Sequence, residues 1–257
     1  PVGGKTLQNY IAIQKNTKKS NFQNRLEIFG KIADAMAYAH SNKVIHLDLK
    51  PENIYLGEFG EVLVGDWGLA KVPHVSPREV DLYNSKAKGL HTLHGYIKGT
   101  PGYMSPEQID KSLGGSDEQS DIYALGIILF ELLCLESANE GKDLEGILKN
   151  TILGELKRPD VVCPTLPEGL ESIIMKSIEV DKSQRYQTVG EIISDLKKFQ
   201  GGFITSAERN SFLKSFTYLL KRHRLVSSLL TILVLGSFFF IVEIYREKER
   251  VEIQRNE

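Results

Sequence analysis

The order of apolar and polar positions divides the chain into distinct segments. In RLEIFGKIADAMAYAH, Leu26, Phe29, Ala33, Met36 and His40 recur at three- and four-residue steps. That spacing lines one face of an amphipathic helix. NIYLGEFGEVLVGDWG, which begins at Asn53, reads as two short strands around a four-residue loop containing glycine, a hairpin. DIYALGIILFELLCL, from Asp121, is apolar on nearly all sides. A helix of that kind belongs at the centre of a core. GLESIIMKSIE and QTVGEIISDLKKF each repeat apolar residues at helical spacing. Neither an internal repeat nor a low-complexity run interrupts the pattern. It predicts a mostly helical body with one small hairpin, closing at Gly201-Gly202.

One stretch follows a different rule. LVSSLLTILVLGSFFFIV, Leu225 to Val242, carries no charge for 18 residues. At about 1.5 Å per residue it would span roughly 27 Å as a helix, close to a hydrocarbon core of about 30 Å. The basic run KRHR, Lys221 to Arg224, precedes it, and EIYREKER follows. The expectation is a single transmembrane helix over 225–242, with a juxtamembrane segment at 201–224 and the start of an extracytoplasmic region at 243–257. Its internal position excludes a signal peptide. The basic cluster agrees with a cytoplasmic side for the preceding body.

Composition narrows the class without choosing it. With 257 residues, 41% hydrophobic and 25% charged, the chain is ordinary for a globular protein. A net charge of −1 gives no hint of a nucleic-acid partner. Cys134 and Cys163 make no disulfide framework and read as reduced thiols. The first residue is Pro1, so the sequence reads as a fragment or a processed product.

The chemistry concentrates in HLDLKPEN, His46 to Asn53. A short loop followed by a hairpin can bring Asp48 and Asp66, the latter in GDWG, to one mouth. Asp48, Asn53 and Asp66 form a hard, all-oxygen set of the kind that suits Mg²⁺. Lys50 adds a positive charge that can neutralise a phosphate. An unliganded Asp48 can accept a proton from a hydroxyl nucleophile. Phosphoryl transfer fits these parts better than hydrolysis. The sequence offers no Ser-His-Asp arrangement and no zinc spacing. HTLH, His91 to His94, reads as a solvated loop rather than a metal site.

These residues resemble a known family. HLDLKPEN resembles the catalytic loop of eukaryotic-type serine/threonine protein kinases, here of the bacterial, membrane-anchored, receptor-like kind. DWG resembles their metal-binding Asp-Phe-Gly motif. GTPGYMSPE, Gly99 to Glu107, resembles the substrate-facing loop that ends in Ala-Pro-Glu. SDIYALGIILFELL resembles the central helix of the large lobe, and QRY, Gln184 to Tyr186, its late arginine. The resemblance covers about residues 1–200. It implies a protein kinase-like α+β fold, present mainly as the α-helical C-terminal lobe with a small β-hairpin, followed by the membrane helix. By that resemblance Asp48 is the catalytic base and Lys50 contacts the transferred phosphate. Asn53 and Asp66 hold Mg²⁺. Thr100 braces the substrate loop against Asp48 and Lys50. Glu107 and Arg185 form a buried ion pair, and Asp121 caps the catalytic-loop backbone. ATP and Mg²⁺ are the implied cofactors, and proteins with serine or threonine the implied substrates. The implied location is the inner membrane, single-pass, with the kinase lobe cytoplasmic. A homodimer stays open.

Two departures from the family pattern matter. Leu47 stands where regulated kinases carry the arginine that pairs with a phosphorylated activation segment. Phosphorylation at Ser76, Ser85 or Thr92 would then need another cation, such as Lys71 or Arg78. Trp67 replaces phenylalanine, at a position that packs rather than coordinates. PVGGKTLQNYI resembles the hinge exit and first helix of the large lobe, and no glycine-rich loop or strand lysine precedes it. The chain alone is therefore expected to be inactive. A pseudokinase scaffold and a small-molecule phosphotransferase remain the alternatives. Intact Asp48, Lys50, Asn53 and Asp66 disfavour the first, and SPE at the end of the loop disfavours the second.

Overall fold

The most uniformly apolar segment forms the centre. In the computed structural model, which describes residues 5–17, 22–71, 99–208, 232–233, 235–244, 246 and 248, every residue from Ser120 to Leu133 is buried. These residues belong to helix α4, Glu118–Cys134. Asp117 opens it by accepting the Gln119 N–H, and Ser120 returns a bond to the Asp117 N–H. This reciprocal cap satisfies donors that the first turn would otherwise leave unpaired.

Helices α1, Leu7–Thr17, and α2, Phe22–Ser41, precede the catalytic-loop sequence. The apolar stripe of α2 is buried at Leu26, Phe29, Ala33 and Met36, and His40 ends the same face. After the short helix α3, Pro106–Ile109, and α4 come α5, Leu144–Leu153, α6, Pro159–Val162, α7, Glu168–Ser177, and α8, Val189–Gln200. Helix α2 packs against α8, and α4 against α7. Their buried side chains form one continuous core.

The hairpin is present as β2, Ile54–Leu56, and β3, Val62–Val64, antiparallel with Tyr55 opposite Leu63. A two-residue strand, β1 at Lys5–Thr6, adds to its other edge, with Lys5 opposite Leu56. Two residues show no periodicity, which is why no pattern announces β1. A separate bridge joins Ile45 to Lys71, so the loop from His46 to Asn53 starts on fixed backbone.

The chain divides into two units, 1–201 with 205–208, and 202–204 with 209–257. In the second unit residues 232–233 and 235–244 are helical, and Ile232, Leu233, Leu235, Phe238, Phe239 and Phe240 are each at least 62% exposed. Among the described residues no helix is long and apolar enough to cross a membrane. The transmembrane helix expected over 225–242 is thus not found among them. Residues 225–231 and 234 of that span lie outside the described residues.

Close packing of α4 on α7 depends on Gly126. A Cβ there would stand 2.6 Å from Ser177 Cβ and 2.6 Å from Ile178 Cγ2. Both neighbours are buried and cannot swing aside. Gly126→Ala should therefore cost about 1–3 kcal/mol by overpacking. A melting temperature lowered by several degrees, read by circular dichroism, is the expected result; an unchanged one would refute the tight contact.

Candidate active site

A single buried carboxylate sets the loop that holds Asp48. Asp121, in the first turn of α4 and 1% exposed, accepts the N–H of His46 at 2.8 Å and that of Leu47 at 2.8 Å. His40, at the end of α2, reaches the same carboxylate through Nε2 at 2.8 Å. Two helices and the loop thereby share one charged group. Leu47 adopts a left-handed backbone, φ 63°, which costs a non-glycine residue roughly 1–2 kcal/mol. Its carbonyl accepts a bond from Gln108 Nε2 at 2.8 Å. His46 is fully buried; its Nε2–H faces Gly65 O at 2.9 Å, while Nδ1 accepts the Asp48 N–H at 3.3 Å. Those partners require the tautomer with the proton on Nε2.

Asp48, Lys50 and Thr100 form a closed triangle. Thr100 Oγ1 donates to Asp48 Oδ1 at 2.8 Å and accepts from Lys50 Nζ at 2.6 Å. Lys50 Nζ lies 3.3 Å from Asp48 Oδ2. Their side chains are 14% and 20% exposed for Asp48 and Lys50, so the carboxylate remains open on one side. Thr100 sits beside Gly99, whose φ of 133° suits glycine. A Cβ at Gly99 would stand 3.0 Å from Met104 Cγ.

Asn53 ends a short 3₁₀ turn opened by Pro51. Its Nδ2 donates to Asp48 O at 2.9 Å, which leaves the amide oxygen available. Gly65 N–H donates to Asn53 O at 2.8 Å, so β3 delivers Asp66 next to the same loop. Asp66 is exposed, with φ 57° and ψ 60°, and its carboxylate caps no helix. Among the described residues no group of three or more His, Cys, Asp or Glu is placed to hold a metal ion. Asn53 and Asp66 supply two hard oxygens. That fits a cation which fills its remaining positions with water and phosphate, as Mg²⁺ does. Trp67, 37% exposed, rests its ring 4.5 Å from the His46 ring and donates Nε1–H to Val64 O at 2.9 Å.

Glu107 and Arg185 join α3 to the turn before α8 in an ion pair with both side chains fully buried. Two guanidinium bonds, at 3.0 and 3.2 Å, reach the Glu107 carboxylate, and Ser120 Oγ donates at 2.7 Å. Burial raises the Glu107 pKa, but these donors outweigh it and hold the carboxyl below the usual range. Arg185 also donates to Gln119 O, Glu179 O and Val180 O. Tyr103 donates its hydroxyl to Glu131 at 2.8 Å.

No hydrophobic or charge pattern singles out His46, Ser120, Tyr103, Glu131 or Gln108, and the helical stripe that includes His40 does not show its bond to Asp121. Gln108 and Ser120 each have a local signal, the Ser105-x-x-Gln108 and Asp117-x-x-Ser120 spacings of capping boxes. Lys71 donates to Ser116 O at 3.2 Å. Ser76, Arg78, Ser85, Thr92 and His91 to His94 fall in 72–98, outside the described residues.

Comparison with known proteins identifies the family. The model of the protein kinase domain family matches residues 2–196. The chain is 40% identical over 185 residues to serine/threonine-protein kinase PknD of Protochlamydia amoebophila, covering 69% of this chain and 18% of that protein. It is 36% identical over 198 residues to the PknD of Chlamydia muridarum, covering 72% and 20%. The PknD of Chlamydia caviae is 33% identical over 184 residues, covering 69% and 19%. The chain belongs to the protein kinase domain family. It spans about a fifth of the length of these curated relatives.

Glu131 makes the site's surroundings pH-dependent. Burial pushes its carboxyl up to about 7; the Tyr103 hydroxyl pulls the other way, and Glu52 adds to the rise. The folded state therefore holds a proton that the unfolded chain releases near 4.5. This contributes stability present below that value and lost as pH rises through about 7. Tyr103→Phe deletes the donor that favours the ionised form and should move the midpoint higher still. A carbon-13 titration of the Glu131 carboxyl checks both; a midpoint in the ordinary glutamate range contradicts them.

Proposed function

We propose that this chain is the large lobe of a membrane-anchored serine/threonine protein kinase, which transfers the γ-phosphate of ATP to serine or threonine hydroxyls of protein substrates with Mg²⁺. The Asp48–Thr100–Lys50 triangle carries this reading. It holds a carboxylate as an acceptor for a hydroxyl proton and places a lysine within reach of a transferred phosphate. Asp48 orients the substrate hydroxyl and takes its proton. Lys50 offsets the charge on the phosphoryl group. Asn53 and Asp66 would hold Mg²⁺, which would supply positive charge to neutralise the phosphates. Thr100 ties the substrate-facing loop to the base, so a protein substrate laid on that loop meets Asp48 directly. Glu107, Arg185 and Asp121 are supports for that geometry.

ATP phosphates need a clamp as well as a base, because this chemistry is largely positioning and electrostatics. The sequence contains no glycine-rich loop or strand lysine. The chain alone should turn over almost no ATP, and activity requires a clamping lobe joined to it. The alternative of a pseudokinase scaffold has less support, since a scaffold has no use for Asp48, Lys50, Asn53 and Asp66 together.

The membrane reading rests on the uncharged run from Leu225 to Val242 and the basic residues before it. It places the lobe on the cytoplasmic side of an inner membrane, where ATP is found. A reporter active only outside the cytoplasm, fused after Glu257, should score positive; activity of a cytoplasm-only reporter there would reverse the orientation.

Asp48→Asn tests the catalytic reading. The amide keeps the shape and the oxygen that accepts from Thr100, but it cannot take a proton. In the complete kinase, phosphorylation of a serine peptide should fall roughly 10²–10⁴-fold, the range for loss of a general base. The melting temperature should barely move. An undiminished rate would sink the assignment.

A further inference from the structure

The peptide unit that carries Asp48 is gripped at both ends. Its N–H meets His46 Nδ1 at 3.3 Å, and its carbonyl, Leu47 O, meets Gln108 Nε2 at 2.8 Å. We infer that Gln108 is a positioning residue for phosphoryl transfer, fixing the Leu47–Asp48 peptide from the substrate-facing loop without any phosphate. The inference rests on the reading of Asp48 as the base.

The Gln108 amide has one possible orientation. Its Oε1 accepts from Ser105 N at 3.0 Å and Ser105 Oγ at 3.2 Å, while Nε2 faces a carbonyl. Turned over, it would set an oxygen against a carbonyl and an NH₂ against an N–H. The backbone under Gln108 is also held. Its own N–H donates to Ser105 O at 3.0 Å, and the adjacent Glu107 is locked in the buried pair with Arg185. Gln108 is thus a rigid donor on a rigid platform.

What it grips is the least settled point of the loop. Leu47 has φ 63°, a backbone that leucine disfavours. Relaxing it would rotate the Leu47–Asp48 peptide, withdrawing the carbonyl from Gln108 and the carboxylate from Thr100. Asp121 holds the N–H groups of His46 and Leu47, but it has no hold on that carbonyl. Leucine at this position offers no cation to a phosphate. Gln108 lies in the same 99–108 segment as Thr100, so ordering the substrate loop and orienting the base become one event. Phosphorylation is then not needed to align Asp48.

Gln108→Glu in the complete kinase gives the decisive comparison. The variant keeps the side-chain shape but points a carboxylate oxygen at the Leu47 carbonyl. At pH 8, kcat for a serine peptide should fall about tenfold or more, the scale of one lost hydrogen bond left repulsive. KM for ATP and the melting temperature should stay near wild type. Lowering the pH protonates the introduced carboxyl, restores a donor and should narrow the gap to wild type. Prior phosphatase treatment should leave the ratio unchanged. A wild-type kcat, or a loss matched by lost stability with no recovery at low pH, would overturn the inference. Amide hydrogen exchange on this chain gives a second decision that needs no activity. Gln108→Ala should speed exchange at the Asp48 amide by about tenfold while the α4 amides hold; unchanged exchange overturns the brace. A wild-type kinase that transfers no phosphate would instead defeat the reading of Asp48, and the exchange result would still judge Gln108.

Discussion

The carboxylate of Asp121 is the point on which the site depends. It is almost wholly buried, and it satisfies two backbone N–H groups of a loop and one imidazole of a neighbouring helix. A buried charge of this kind is tolerable only when fully bonded. The reverse also holds: His46 and Leu47 could not bury their N–H groups without it. Because Asp121 stands in the first turn of α4, the most buried helix, the catalytic loop inherits the rigidity of the core. Removing its partners would leave a charge in the interior, so loop and helix are energetically one piece.

A second buried charge organises the 99–108 segment. The Glu107–Arg185 pair is fully enclosed, and Arg185 spends its remaining donors on backbone carbonyls of the turn before α8 and the start of α4. Replacing such a pair by apolar residues is often no less stable, whereas breaking it is costly. Its value here lies in location. It fixes α3, and α3 presents Gln108 to the catalytic loop while Thr100, earlier in the same segment, bonds Asp48. Two buried carboxylates, 14 residues apart in sequence at Glu107 and Asp121, thereby hold the two walls of one site.

Between those walls sits a strained residue. Leu47 and Asp66 both take left-handed backbones beside the residues proposed for chemistry. Such conformations persist only where surroundings over-determine them. At Leu47 the surroundings are Asp121 and Gln108; at Asp66, the Gly65–Asn53 backbone bond and the His46 ring that supports both Gly65 and Trp67. The buried imidazole thus couples the loop before the hairpin to the turn after it.

Local periodicity by itself determined α2, α4, α7, α8 and the hairpin, since each buries one face or all faces over enough residues to leave a repeating signal. The motif residues Asp48, Lys50, Asn53 and Asp66 stood out because their residue types are unusual at such short spacing. Tertiary structure alone decided the rest. Gln108 meets Leu47 across 61 positions, Lys50 meets Thr100 across 50, and His46 meets Asp121 across 75. Strand β1 exists only because the Leu56 edge of the hairpin offers unpaired backbone groups to Lys5 and Thr6. Such contacts join residues with no periodic relation, and their energies come from desolvated polar groups finding partners. A pattern along the chain records which faces are apolar; only the packed chain decides which buried donor meets which acceptor.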